Sequence, residues 1–107
     1  MMSYPIVTIC CSTRYRDEII KLYNELTKRG YVVLADLTDH NDQLNFDKVM
    51  VDQMHLHKID IADKVFFLLK DNHMGESVSK EFEYAKNKSK SIYIVELKEV
   101  QTLEESC

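Results

Sequence analysis

Apolar residues fall along this chain in four short continuous runs, separated by three stretches of helical spacing. Tyr4–Cys10 (YPIVTIC), Tyr31–Ala35 (YVVLA), Lys64–Leu69 (KVFFLL) and Ser91–Leu97 (SIYIVEL) are rich in β-branched and aromatic residues. Short runs of this kind predict strands buried on both faces. Arg14–Arg29 places Ile19, Leu22, Tyr23 and Leu26 at helical spacing and stops at Gly30, a C-cap signal. From Phe46 a second stripe runs through Val49, Met50, Met54, His57 and Ile61. A third helix, Val78–Lys88, carries Val78, Phe82 and Ala85, with Ser77 as its expected N-cap. Asp36–Asn45 and Lys70–Glu76 read as loops, and the acidic tail QTLEESC as a frayed end.

The order is therefore β-α-β-α-β-α-β. Continuous apolar strands joined by helices imply a parallel sheet covered on both faces. Right-handed crossovers then favour an α/β fold of three layers: an open parallel sheet, flavodoxin- or Rossmann-like, with strand order 2-1-3-4 and room for one further edge strand. Ligands of such sheets sit beyond the carboxyl ends of the strands, where Cys11–Thr13, Asp36–Asn45 and Lys70–Ser77 converge.

Composition narrows the function classes. The 107 residues make one domain, 1–107, and 45% hydrophobic with 30% charged residues is ordinary globular usage. A formal charge of −4 gives no reason to expect a nucleic-acid polymer or an anionic membrane as partner. No apolar run approaches the ~20 residues of a membrane span, and the start lacks the basic region of a signal peptide. Three cysteines, two of them adjacent at Cys10 and Cys11, fit reduced thiols in a cytoplasmic protein better than a disulfide framework.

Several positions could carry chemistry. With Val78, Phe82 and Ala85 facing the sheet, Glu81 lies on the flank of that stripe, one turn from the positive end of the helix. It is either a partly desolvated carboxylate beside the crevice or a border residue reaching into water. Gly75, Glu76 and Ser77 open the same helix and can offer backbone N–H groups to an anion, with simple capping by Ser77 as the other reading. Cys11, Ser12, Thr13 and Arg14 follow the first strand; their hydroxyls, amides and guanidinium suit a phosphate, or merely cap a helix. Neither a Walker pattern nor GxGxxG occurs. His55 and His57, two positions apart, diverge around a helix, and no Cys or third His is expected near them, so neither a metal nor another cofactor is anticipated. His57 reads as a hydrogen-bonded residue at the core's edge. Asp60 and Asp63 end the second helix; Asp63 either turns into the crevice or is a solvated turn residue.

Two segments taken together, His55–Asp63 (HLHKIDIAD) and Gly75–Ala85 (GESVSKEFEYA), resemble the nucleoside 2-deoxyribosyltransferase-like superfamily. Cys10–Arg14 (CCSTR) is similar to the phosphate loop of its 2'-deoxynucleoside 5'-phosphate N-hydrolase branch. The resemblance implies Glu81 as nucleophile, Asp63 near the sugar and base as the acid that protonates the departing base, and Ser12, Arg14 and the Gly75–Ser77 amides around a 5'-phosphate. It also implies a homodimer or larger homo-oligomer, for which the second helix, with Met50 and Met54, is the expected surface. Three positions depart from the family pattern: Cys11 stands where Gly is usual, Thr8 where a Tyr bonds the nucleophile, and Gly75 where Asp or Ser is found. Two functions follow as expectations. One is an N-glycosidase or deoxyribosyltransferase acting on a nucleoside or nucleotide through a glycosyl-enzyme ester. The other is a non-catalytic nucleotide-binding module that kept the pocket.

Overall fold

All four apolar runs pair into one parallel sheet in the computed structural model, which describes residues 3–38 and 46–103. The strands are β1 (Ile6–Cys10), β2 (Val32–Ala35), β3 (Lys64–Leu69) and β4 (Ser91–Glu96). Their spatial order is β2-β1-β3-β4, the expected order, and no further strand joins the sheet among the described residues. The helices are α1 (Arg16–Lys28), α2 (Lys48–Asp60), α3 (Glu76–Asn87) and α4 (Leu97–Gln101), with a 3-10 turn over Thr13–Tyr15. None is long and apolar enough to cross a membrane.

The pleat sorts the core into two halves. Val7 and Ile9 of β1 and Leu68 of β3 point to one face and pack with Ile19, Leu22 and Leu26 of α1 and with Leu97 and Val100 of α4. Cys10, Val65, Phe67 and Leu69 point to the other face and meet Ile59 and Ala62 at the end of α2, and Val78 and Ala85 of α3. Burial on both faces holds only for the central strands. Val32 of β2 and Tyr93 and Ile94 of β4 are exposed, because four helices do not reach the outer surfaces of both edge strands.

Local signals explain most boundaries. Helix α1 closes in a Schellman turn: Gly30 sits at φ +92°, its N–H donating to Thr27 (3.0 Å), and Tyr31 N–H donates to Leu26 (3.1 Å). At the end of α2, Lys90 Nζ donates to the carbonyls of Asp60 (2.7 Å) and Ala62 (2.9 Å), a cation at the negative end of the helix.

Three expectations are corrected. The buried face of α2 is Val51, His55 and Ile59, whereas Val49, Met50, Met54 and Ile61 of the apparent stripe are exposed, Val49 at 66% and Met54 at 51%. The positions 51, 55 and 59 keep i, i+4 spacing, but a histidine in their middle hides the period. At the N-terminus of α3, Gly75 rather than Ser77 is the cap, and no side chain caps the helix. Beyond β4 the chain turns at once into α4, which begins at Leu97. There Glu99 accepts from the Glu96 N–H (3.0 Å), and Val100 and Leu103 pack onto the core, so the tail is ordered through Leu103. The remainder of the tail, and of the Asp36–Asn45 loop past Thr38, lies outside the described residues.

Candidate functional site

At the carboxyl end of β1 three side chains from three elements meet. Cys10 is the last residue of β1 and points to the α2–α3 face. His55 occupies the middle of the buried face of α2, and Glu81 lies on the flank of α3 between Val78 and Ala85. The Cys10 Sγ stands 3.3 Å from His55 Nε2, and Glu81 Oε1 stands 3.6 Å from the same nitrogen. His55 is 4% exposed and Cys10 fully buried, while the Glu81 side chain keeps 20% of its surface.

Burial sets the protonation of this cluster. It pushes the Glu81 carboxyl up to about 7, against the lowering effect of a hydrogen bond with Cys10. It raises the Cys10 thiol well above its ordinary value, helped by the neighbouring Glu81. It drives the His55 imidazole down to about 4, with Lys58 acting in the same direction. At neutral pH the group therefore holds a thiol, a neutral imidazole and a half-ionised carboxyl. This is no nucleophilic thiolate–imidazolium pair. The acid and the thiol also share one ring nitrogen, whereas a relay needs them on opposite nitrogens. His55 Nδ1 is buried with no hydrogen-bond partner among the described residues. Asp36, at the end of β2, is held below its ordinary value: burial alone would raise it, but Thr38 donates to Oδ1 from Oγ1 (2.6 Å) and N (3.0 Å).

A cavity of about 320 Å³ opens where β1 and β3 end, bordered by Ser12, Arg14, Lys70, His73, Gly75, Glu76 and Ser77. Gly75, Glu76, Ser77 and Val78 at the start of α3 line it, and no side chain caps that first turn, so its amide hydrogens lack a side-chain partner. Ser12 caps the 3-10 turn, and its Oγ receives both Arg14 N (3.4 Å) and Arg14 Nε (3.2 Å), which ties the guanidinium to the rim. Glu76 and Ser77 also border a second cavity of about 290 Å³, lined further by Lys48, Asp52, Leu56, Lys80 and Glu81. The two hollows share Glu76 and Ser77 at the start of α3.

Of the residues singled out in the sequence, Glu81, Ser12, Arg14, Gly75, Glu76 and Ser77 thus come together at the strand ends. Thr13 lies in the 3-10 turn and lines neither hollow. Cys11 packs against the α1–α4 half of the core, its thiol pushed up to about 12 by burial and then by Glu18 and Glu81. Thr8 is fully buried and donates Oγ1 to the Lys58 carbonyl (2.7 Å), two residues short of Cys10, so its hydroxyl is committed to the end of α2.

Asp63 is not in the crevice. Its Oδ2 accepts from Ile6 N–H (2.8 Å) and its own N–H donates to the Ile6 carbonyl (2.7 Å). Ile6 opens β1 and Cys10 closes it, so Asp63 and the Glu81 cluster lie at opposite ends of the strand, roughly 13 Å apart along it. A residue that directly precedes a parallel strand must lie at the amino edge of the sheet. Asp63→Ala should accordingly lower stability by about 1 kcal/mol in urea unfolding, and should leave ligand binding at the strand ends unchanged; a selective loss of ligand binding would return Asp63 to the site.

The residue that does face Glu81 is His55, and the expectation that no cysteine stands near a histidine is also corrected, because Cys10 touches it. His57, expected at the core's edge, is exposed. The spacing Val51-x-x-x-His55-x-x-x-Ile59 was the available signal for a buried histidine. No protein-family model matches the chain, and no curated protein matches it either, so what is established is an α/β fold with a parallel sheet of order 2-1-3-4.

Proposed function

We propose that this protein binds a nucleoside 5'-monophosphate at the carboxyl ends of β1 and β3, as a non-catalytic nucleotide-binding module. The observation that carries the reading is the uncapped first turn of α3 facing the same cavity as Arg14, Ser12 and Lys70. Amide donors at a helix N-terminus, a forked guanidinium and a second cation are together the chemistry of a phosphate subsite. The adjoining hollow beside Leu56 and Glu81 offers space for the nucleoside. The resemblance of His55–Asp63, Gly75–Ala85 and Cys10–Arg14 to the deoxyribosyltransferase-like superfamily agrees with this ligand class. Cytoplasmic location, with Cys10 and Cys11 as free thiols, and self-association through the exposed methionines of α2 belong to the same reading.

Catalysis is the second reading, favoured by one observation: Glu81 reaches a cavity and is partly ionised near neutral pH. Its carboxylate would attack the anomeric carbon, the base would leave, and water or a second base would break the ester. With Asp63 at the far edge of the sheet, that scheme lacks its acid for the departing base, and binding is the better supported function.

Thermal unfolding with deoxynucleosides and their 5'-monophosphates tests both. Monophosphates should stabilise the fold by mass action, about 2.7 kcal/mol at a hundredfold excess over Kd, and so raise Tm, and nucleosides much less. Arg14→Ala should abolish that difference. Equal stabilisation by both ligand classes, or an unaltered response in Arg14→Ala, overturns the phosphate subsite. Free base in the same mixtures, absent with Glu81→Ala, would establish the glycosidase instead.

A further inference from the structure

We propose that Cys10 Sγ, His55 Nε2 and a Glu81 carboxylate oxygen form a three-ligand site for a zinc-type divalent cation. The inference does not rest on nucleotide binding; it comes from the cluster itself, whose three donor atoms all lie within 4.8 Å of one another. In a tetrahedral zinc site, bond lengths of about 2.0–2.3 Å place neighbouring donor atoms roughly 3.4–3.6 Å apart. Here sulfur and nitrogen stand 3.3 Å apart and nitrogen and oxygen 3.6 Å. Two of the three donor pairs, drawn from a strand and two different helices, thus already stand at coordination spacing, and the third, sulfur to carboxylate oxygen, closes within 4.8 Å.

The donor set selects the ion. Thiolate disfavours magnesium and calcium, which take oxygen ligands, whereas sulfur, imidazole and carboxylate together suit zinc or cobalt. Charge balance also fits the burial. A lone thiolate or carboxylate is penalised here, but a dication with both anions is neutral as a unit. On binding, the Cys10 thiol loses its proton to solvent as the sulfur–metal bond forms, and Glu81 releases whatever proton it carries. The His55 ring stays neutral, giving its Nε2 lone pair to the ion and holding its proton on Nδ1. Cys10 and His55 are buried whereas Glu81 borders an open hollow, so that side is where the ion enters and where water completes the fourth position. An ion held this way neutralises the carboxylate charge that a nucleophilic Glu81 would need, so the loaded protein would be a poor glycosidase.

Cobalt(II) alone is the probe, added to chelator-treated, reduced protein. A single equivalent should produce a near-ultraviolet thiolate-to-cobalt band with the strong visible bands of a tetrahedral ion, and zinc should bleach both. Cys10→Ser should lose the near-ultraviolet band while Cys11→Ser keeps it. Glu81→Gln, at the partly exposed ligand, should keep the band and weaken affinity about tenfold or more. Absence of the band at stoichiometric cobalt, or its survival in Cys10→Ser, overturns the site. Should Cys10→Ser fail to fold, cobalt affinity in Glu81→Gln decides: an unchanged value overturns it equally.

Discussion

Replacing Glu81 by glutamine is expected to raise the melting temperature at pH 8 and to leave it unchanged near pH 4.5, measured with a chelator present. The Glu81 carboxyl titrates near 7 in the folded chain against 4.5 as its ordinary value, because the α2–α3 face of the sheet desolvates it. Below pH 4.5 it is protonated in both states, and its burial carries no charge. As pH rises from 4.5 to 7, the unfolded chain ionises first and stability is lost. Above 7 the loss is complete, on the order of 3 kcal/mol. Glutamine keeps the shape and removes the charge, so at pH 8 it should recover much of that loss, roughly 10 °C in Tm for a domain of this size. A gain equal at both pH values would mean that packing, not ionisation, is responsible.

His55 acts with the opposite sign over nearly the same window. Its folded value lies near 4 against an ordinary 6.5, so its contribution is intact above 6.5 and is lost as pH falls through 4. In the wild type the two slopes largely offset between pH 4.5 and 6.5, which predicts a flat stability profile there. Glu81→Gln exposes the His55 limb alone, and its stability should fall steadily on acidification across that range. The cluster is therefore a pair of groups pushed towards their uncharged forms by one apolar environment, one an acid and one a base.

That environment was only half legible in the sequence. The layered sheet and its order followed from four continuous apolar runs, and the pleat then fixed which residues of β1 and β3 share a face. The flank position of Glu81 followed from its spacing to Val78, Phe82 and Ala85, but spacing alone left open whether it meets the crevice or water. What failed was the phase of α2. Apolar residues surround that helix, so the exposed Met50 and Met54 looked like core, and the buried His55 looked like one of two stray histidines. The resemblance alone points to Asp63 as the partner of Glu81. That residue closes the other end of β1 instead. The cysteine was equally hidden, since a strand that reads as wholly buried does not say which side chain meets a helix at its tip. Both gaps concern how elements face one another, which periodicity within a single element cannot supply.

The largest loss of stability is expected from Phe67→Ala. Phe67 is fully buried at the centre of β3, opposite Cys10 in register, and its ring meets that of Phe82 edge-on at 5.3 Å between centroids. Removing it leaves a cavity under α3 and deletes the aromatic pair, for about 3–5 kcal/mol. A domain of this length holds only ~5–15 kcal/mol in all, so the urea midpoint should collapse and Tm fall by more than about 12 °C. Phe66 gives the control. It points to the opposite face, partly buried and stacked on Tyr93 at 5.2 Å, where water can fill the space left by alanine. Phe66→Ala should therefore cost well under half as much. Comparable losses at the two positions would mean that the α2–α3 half of the core is packed no more tightly than the sheet edge. The desolvation assigned to Cys10, His55 and Glu81 depends on that half being the tighter one, because the ring at 67 forms the apolar floor between β3 and the helix that carries Glu81.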